Sequence, residues 1–356
     1  DVQLYHSALS ADDVTQLFNN PGSSLGGSGT VHPTASIFEW KTTDLGSWSD
    51  NTHWSANTPN KADGSLPNKA GHTAVFGNQI TGPTAVVTHD AVTVNRIEFE
   101  NASMIYAISG LGSVNFTATT AAEPLDPTLA VQGTHQFQVN VNLLENTTAD
   151  VASDSTIEFV NRLNLNGKTL TKTGDGTLLV NNSFNTGSGS IVNNSGILSG
   201  GGTIGGSLEN PSGTVAPGNS PGVLSVSGDY TQGAGGTLAI EITGTGAGEG
   251  GHDQLNVSGA AALDGTLDIQ TDAGFTPGVG ASAGQIGDSY VIVSAGSVSG
   301  TFATINGRHM GGGKFYLPEY NATNVTLGAF QAAAGDADGD RDVDITDFNS
   351  LANGFD

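Results

Sequence analysis

The chain of 356 residues has no cysteine, only two methionines and few aromatics, 6% in all. Without thiols it can form no disulfide, Cys-based zinc site or iron–sulfur cluster, and it has no cysteine nucleophile. Charged residues make up 12%, about half the usual share. Basic residues are scarcest: ten Lys and Arg stand against 34 Asp and Glu, a net charge of −24. Such a surface repels phosphate backbones and anionic lipids, which excludes nucleic-acid binding. No apolar run approaches the roughly 18 residues of a membrane-spanning helix, so no membrane insertion is expected. The opening Asp1-Val2-Gln3 is not a signal-peptide n-region and reads as the start of a processed or truncated chain.

Glycine is plentiful: 52 residues, about twice the usual share. It shows no G-X-Y period, so collagen is out, and with 36% apolar residues a core can form. From residue 85 to 330, short strand-like pieces such as Ala85–Thr88, Gln136–Val141 and Thr156–Val160 alternate with Gly, Asn, Asp and Ser turns. Comparable strands recur roughly every twenty residues, with corners such as Asn166-Gly167 and Gly174-Asp175-Gly176 that tolerate positive φ. The predicted class is all-β: a right-handed parallel β-helix over 85–240, a β-sandwich-like C-terminal part over 241–330, and a short helical, metal-binding tail over 331–356. Val, Ile and Leu would stack inward from rung to rung, which builds a core without aromatics.

The three tryptophans, Trp40, Trp48 and Trp54, fall within fifteen residues in a segment spanning 37–84. On a surface they would stack on sugar rings of an extracellular polysaccharide. At the end of a solenoid they would cover an otherwise exposed hydrophobic terminus, which is the reading preferred.

Residues 1–20 differ from the rest. Val2, Leu4 and Tyr5 read as a strand, followed by Leu9 and a capping box from Ser10 to Asp13. Val14, Leu17 and Phe18 then share one helical face, and Asn19-Asn20-Pro21-Gly22 ends the helix. Residues 21–36 form a Gly/Ser/Thr/Pro-rich linker.

Catalytic patterns are weak. Gly218-Asn219-Ser220-Pro221-Gly222 matches G-x-S-x-G, but Pro221 has no N–H to serve an oxyanion. Gly246–Gly251 matches G-x-G-x-x-G, but no helix pattern follows to hold a pyrophosphate. Over 97–307 the only basic residues are Arg162, Lys168 and Lys172, too few for the Lys or Arg base of a polysaccharide lyase face. The pair Asp264/Asp268 is explained by outward alternation along a strand. No enzyme activity is expected.

The last 22 residues hold seven Asp and one Arg. Asp336, Asp338, Asp340, Asp344 and Asp347 occupy positions 1, 3, 5, 9 and 12 of a loop, with the Asp342 carbonyl available at position 7. Hard oxygens at alternate positions suit one Ca²⁺. Phe348, Leu351 and Phe355 lie on one face of the helix that would follow.

Three stretches carry family resemblances. Asp1–Ser10, with Val14 and Leu17-Phe18, resembles the C-terminal end of a laminin-G/concanavalin-like jelly roll, a last strand without its parent sheet. Gly213–Leu224, followed by Gly236–Ile242, Asp253–Gly259 and Leu263–Leu267, resembles autotransporter-passenger-like β-helix repeats of bacterial surfaces. Asp336–Asp347 resembles one half of a dockerin, such as those carried by planctomycete-like surface proteins; here Arg341 stands at the sixth position, where Gly is usual. The second dockerin repeat is missing, so the resemblance does not extend to cohesin binding.

Together the resemblances imply a secreted, non-enzymatic protein of the cell surface or matrix. The strand around Val2–Tyr5 would satisfy its backbone on the sheet edge of a neighbouring copy, giving a head-to-tail homopolymer.

Overall fold

The computed structural model describes residues 36–57, 65–119, 125–182 and 188–347. Almost every regular element in them is a short strand with alternating burial, as in Thr156–Phe159, where Ile157 and Phe159 face inward and Thr156 and Glu158 outward. Period-two alternation buries one row of side chains per strand.

These strands wind into a three-sided parallel β-helix. The first face is a 12-stranded sheet whose parallel members run from Ser36–Trp40 to Ser297–Gly300, and the second is an 11-stranded sheet from Gly46–Ser47 to Thr304–Asn306. Each of the eleven coils gives one strand to each of these faces. The third face has a four-stranded sheet along the N-terminal half and a seven-stranded sheet along the C-terminal half. Parallel pairing already begins at Ser36–Trp40 on His72–Phe76, so the Trp-bearing segment forms the first coil itself. The strand expected over Gln136–Val141 divides into Thr134–Phe137 and Asn140–Leu143, because a corner falls at Gln138-Val139.

Coil length changes along the rod. Cross-coil partners on the first face lie 20 residues apart at Thr128/Thr148 and 17 at Ile191/Leu208, but 31 at Tyr230/Ala261 and 37 at Ala261/Val298. The added residues form the loops 243–253 and 272–285 between the second and third faces. Beyond the last coil the third face curls over: Ile286–Ser294 pairs parallel below and antiparallel with Asn324–Gln331, which pairs in turn with Lys314–Tyr320. The C-terminal part is thus a curled antiparallel sheet continuous with the solenoid.

Register stacks like on like. On the second face His135, Ile157, Leu178, Leu198, Val215, Leu238, Leu267 and Ile305 stand one above another. Through Leu267 every member is fully buried; Ile305, the last, is only half-buried. In the N-terminal coils the core is aromatic, with Phe76 stacked on Phe99 at 5.1 Å and Phe137 on Phe159 at 5.4 Å.

A second inward column, at one corner of the first face, is polar. Lys172 Nζ donates to Ser195 O at 2.7 Å, Asn193 Nδ2 to Thr214 O at 3.0 Å, Asn210 Nδ2 to Thr237 O at 3.1 Å and Gln232 Nε2 to Thr266 O at 3.0 Å. Each side chain reaches the turn of the following coil and pays there for carbonyls that the corner would otherwise strand.

Candidate metal centre

All three tryptophans lie inside the first coil. Trp40 and Trp48 are fully buried and Trp54 is 2% exposed. Trp40 and Trp54 meet edge-on at 5.2 Å, and Trp54 lies 5.6 Å from Phe76 of the next coil. Trp48 Nε1 donates to Pro67 O at 2.9 Å and Trp54 Nε1 to Trp48 O at 2.8 Å. Gly46 is required here, since a Cβ would lie 2.7 Å from the Trp40 ring. The strand Trp54–Asn57 folds back antiparallel on Ser36–Trp40 and covers the edge of the first face. The alternative reading, in which Trp40, Trp48 and Trp54 stack on glycans, is therefore corrected: a buried ring has no free face for a sugar. The reading as an end cap agrees with this burial.

The sequence matches to catalytic motifs lie in turns. Ser220 has φ +66° and its hydroxyl donates to the Glu241 carboxylate. Asp264 accepts from Gly265 N at 2.7 Å and Asp268 from Gln270 Nε2 at 2.9 Å, each carboxylate occupied locally. Asp253 is a buried exception that the sequence did not single out. Burial raises its pKa to about 6, although it accepts from Gly222 N and Glu241 N at 2.7 and 2.9 Å.

The acidic loop after residue 334 is clamped to the curled sheet. Arg308 donates through Nε to Tyr316 O at 2.9 Å and through Nη2 to Gly339 O. Gly339, at φ +69°, lies beneath the Phe315 ring, where a Cβ would approach a ring carbon to 2.4 Å. Arg341 takes the left-handed conformation that glycine would supply at this position, φ +82°, at a cost of about 1–2 kcal/mol. Its guanidinium stands 3.8 Å from the Glu319 carboxylate.

The carboxylates gather in two triads. Asp336, Asp338 and Asp340 bring ligand atoms within 4.8 Å of one another, as do Asp342, Asp344 and Asp347. This differs from one convergent set of alternate positions, and Asp347 has a second task beside its triad. Its Oδ1 accepts from Ala337 N and Asp338 N at 2.6 and 3.2 Å, its Oδ2 from Asp344 N at 2.7 Å, so it ties the two halves of the loop together. The bond from Asp344 N, with those from Ala337 and Asp338, holds its pKa below the usual carboxylate range. Asp342 also joins through its side chain, and Asp340 beside it raises its pKa.

The first triad fits a cation. Asp336 is 5% exposed; its Oδ1 accepts from Gly339 N at 2.8 Å, while its Oδ2 is buried without a hydrogen-bond partner. Asp338 Oδ1 is orphaned in the same way, and desolvation, then Asp340 and Asp347, raise its pKa. Two buried, unpaired carboxylate oxygens in a triad of hard donors could hold a metal ion, which would supply their missing partner.

Val2, Leu4, Tyr5, Leu9, Val14, Leu17 and Phe18, the expected assembly residues, lie outside the described residues, as do Phe348, Leu351 and Phe355. No protein-family model matches the chain, and no curated protein matches it at a significant level.

Proposed function

We propose that the protein is a secreted, non-enzymatic structural rod of the cell surface or extracellular matrix, joined head to tail with copies of itself, with a Ca²⁺ loop near its C-terminal end. The observation that supports this most directly is the unequal finish of the two ends. The first coil is sealed by three buried tryptophans and a return strand, whereas the inward column of the second face stops at the half-buried Ile305. Unlike ends that meet make a heterologous contact, which propagates instead of closing.

Eleven coils spaced at about 4.8 Å make a rod of about 50 Å, stiff because each coil is hydrogen-bonded to the next. The acidic, cysteine-free, Gly-rich composition and the resemblance to autotransporter-like repeats favour display outside the cell. Ca²⁺ is favoured over softer metals by an all-oxygen donor set with alternate Asp spacing.

Electron microscopy of the native material, with and without a calcium chelator, tests the proposal. Regular fibres are expected. Fibres that persist in chelator place the joint at the strand edges; fibres that dissolve place the Asp336–Asp347 loop at the joint. Single rods in both conditions would overturn the proposal.

A further inference from the structure

We infer that the last coil carries the acceptor site of the joint: a groove on the second face that binds the Val2–Leu9 segment of a second copy as an added strand. The inference rests on the head-to-tail reading above and specifies where and how the contact forms.

The two C-terminal sheet edges are not equivalent. On the first face, the Val298 N–H in the last strand is already taken by Ala322 O at 2.8 Å. On the second face, Thr304–Asn306 pairs only with Thr266–Asp268 below it. Thr304 N donates downward to Gly265 O at 3.0 Å. Because alternate residues of a parallel ladder bond to opposite sides, Ile305 turns its N–H and C=O upward. Among the described residues nothing takes them.

The groove continues sideways. The strand Thr266–Thr271 is twice as long as the strand that covers it, so its second half borders a cleft of about 610 Å³. Ile269, Thr271, Phe275, His309, Met310 and Lys314 are among its walls. A free strand edge beside a cleft with apolar and polar walls suits an extended peptide: main-chain bonds hold it and alternate side chains enter pockets.

The occupant follows from the sequence outside the described residues. In Val2-Gln3-Leu4, an added strand would point Val2 and Leu4 inward, where they would extend the column that stops at Ile305, and Gln3 outward. The Gly/Ser-rich linker 21–36 has a typical span of about 20–25 Å if flexible. That is about half the rod length, so a neighbour's last coil stacked on the first coil is easier to reach than the chain's own last coil.

Disulfide trapping tests this in the full chain, which has no cysteine of its own. Gln3→Cys or Tyr5→Cys is combined with Thr304→Cys or Asn306→Cys, exposed positions on the acceptor strand. Neighbouring parallel strands bring outward side chains within disulfide reach. An unchanged melting temperature under reduction shows that each variant folds.

The expected result is a ladder of linked multimers on a non-reducing gel for at least one pair, with fibres retained. Internally linked monomer would show that the segment closes on its own chain and would overturn the inference. Fibres without any link would overturn the acceptor site and leave head-to-tail assembly standing. If the unsubstituted protein forms no fibres, the assembly reading fails first and the acceptor site with it.

Discussion

The two ends of the rod solve one problem in opposite ways. A stack of coils leaves its first and last layers without a neighbour on one side. At the N-terminal end the sequence concentrates its bulkiest apolar residues there: Phe38, Trp40 and Trp48 are fully buried, and the return strand Trp54–Asn57 covers the backbone edge. At the C-terminal end Val298 and Ile305 are only half-buried; the curled sheet packs Tyr316 and Leu327 into the core and reaches Phe302 N through the Tyr320 hydroxyl, but pairs no strand with Thr304–Asn306. One end is finished within the chain. The other keeps an open edge at Thr304–Asn306 among the described residues.

Truncating side chains should expose this difference most strongly. Trp48→Ala removes a buried ring with a satisfied N–H and should cost about 3–5 kcal/mol, whereas Ile305→Ala in the unassembled protein should cost about 1 kcal/mol. Equilibrium denaturation of the two variants measures both. Equal losses would mean that Ile305 is as well covered as the tryptophans, and the comparison would break.

Lys172 probes the interior between the ends. It is fully buried, and burial lowers its pKa to about 8 from 10.5. Between those values the unfolded chain binds the proton and the folded chain releases it, so stability should rise with pH from about 8 until close to pH 10, where the buried tyrosines, which desolvation keeps protonated in the folded chain, begin to oppose it. The gain is at most about 3 kcal/mol. Thermal melts across this range should show the rise, and Lys172→Met should flatten it. A fall in wild-type stability over the same window would contradict the assignment.

Calcium sharpens the contrast with a smaller effect. At a hundredfold excess over Kd it should add about 2.7 kcal/mol, provided the ion binds only the folded loop. Hydrogen exchange should register the gain over 308–347, where Arg308 and Phe315 clamp the loop, and leave 36–99 unchanged. Protection that rises equally at the tryptophan end would mean that the two ends are coupled.

Much of the fold was legible because it is local. Alternation in Thr156–Phe159 and the glycine corners at Gly174 and Gly196, both at positive φ, report strand and turn without reference to distant residues. The alternate aspartates of the loop were visible for the same reason. The two triads were not, because Asp347 is held by N–H groups nine and ten residues back, and only folding shows which oxygens remain unpaired.

Lys172 marks the same limit. Its place in Thr169–Thr173 puts it inward by alternation, but its acceptor, Ser195 O, belongs to the next coil. Likewise, aromatic clustering identified Trp40, Trp48 and Trp54 as special, and only their burial decided between a cap and a sugar platform.

What the sequence alone determined is the repeating unit: strand, small-residue corner, strand, at a period that stacks apolar side chains. These choices rest on backbone sterics and on period-two burial within a few residues. The tertiary structure alone decided where the stack begins and stops, which carboxylate oxygens stay unpaired, and which edge is left open. Those properties depend on register between coils 17 to 37 residues apart, and no local pattern encodes the absence of a next coil.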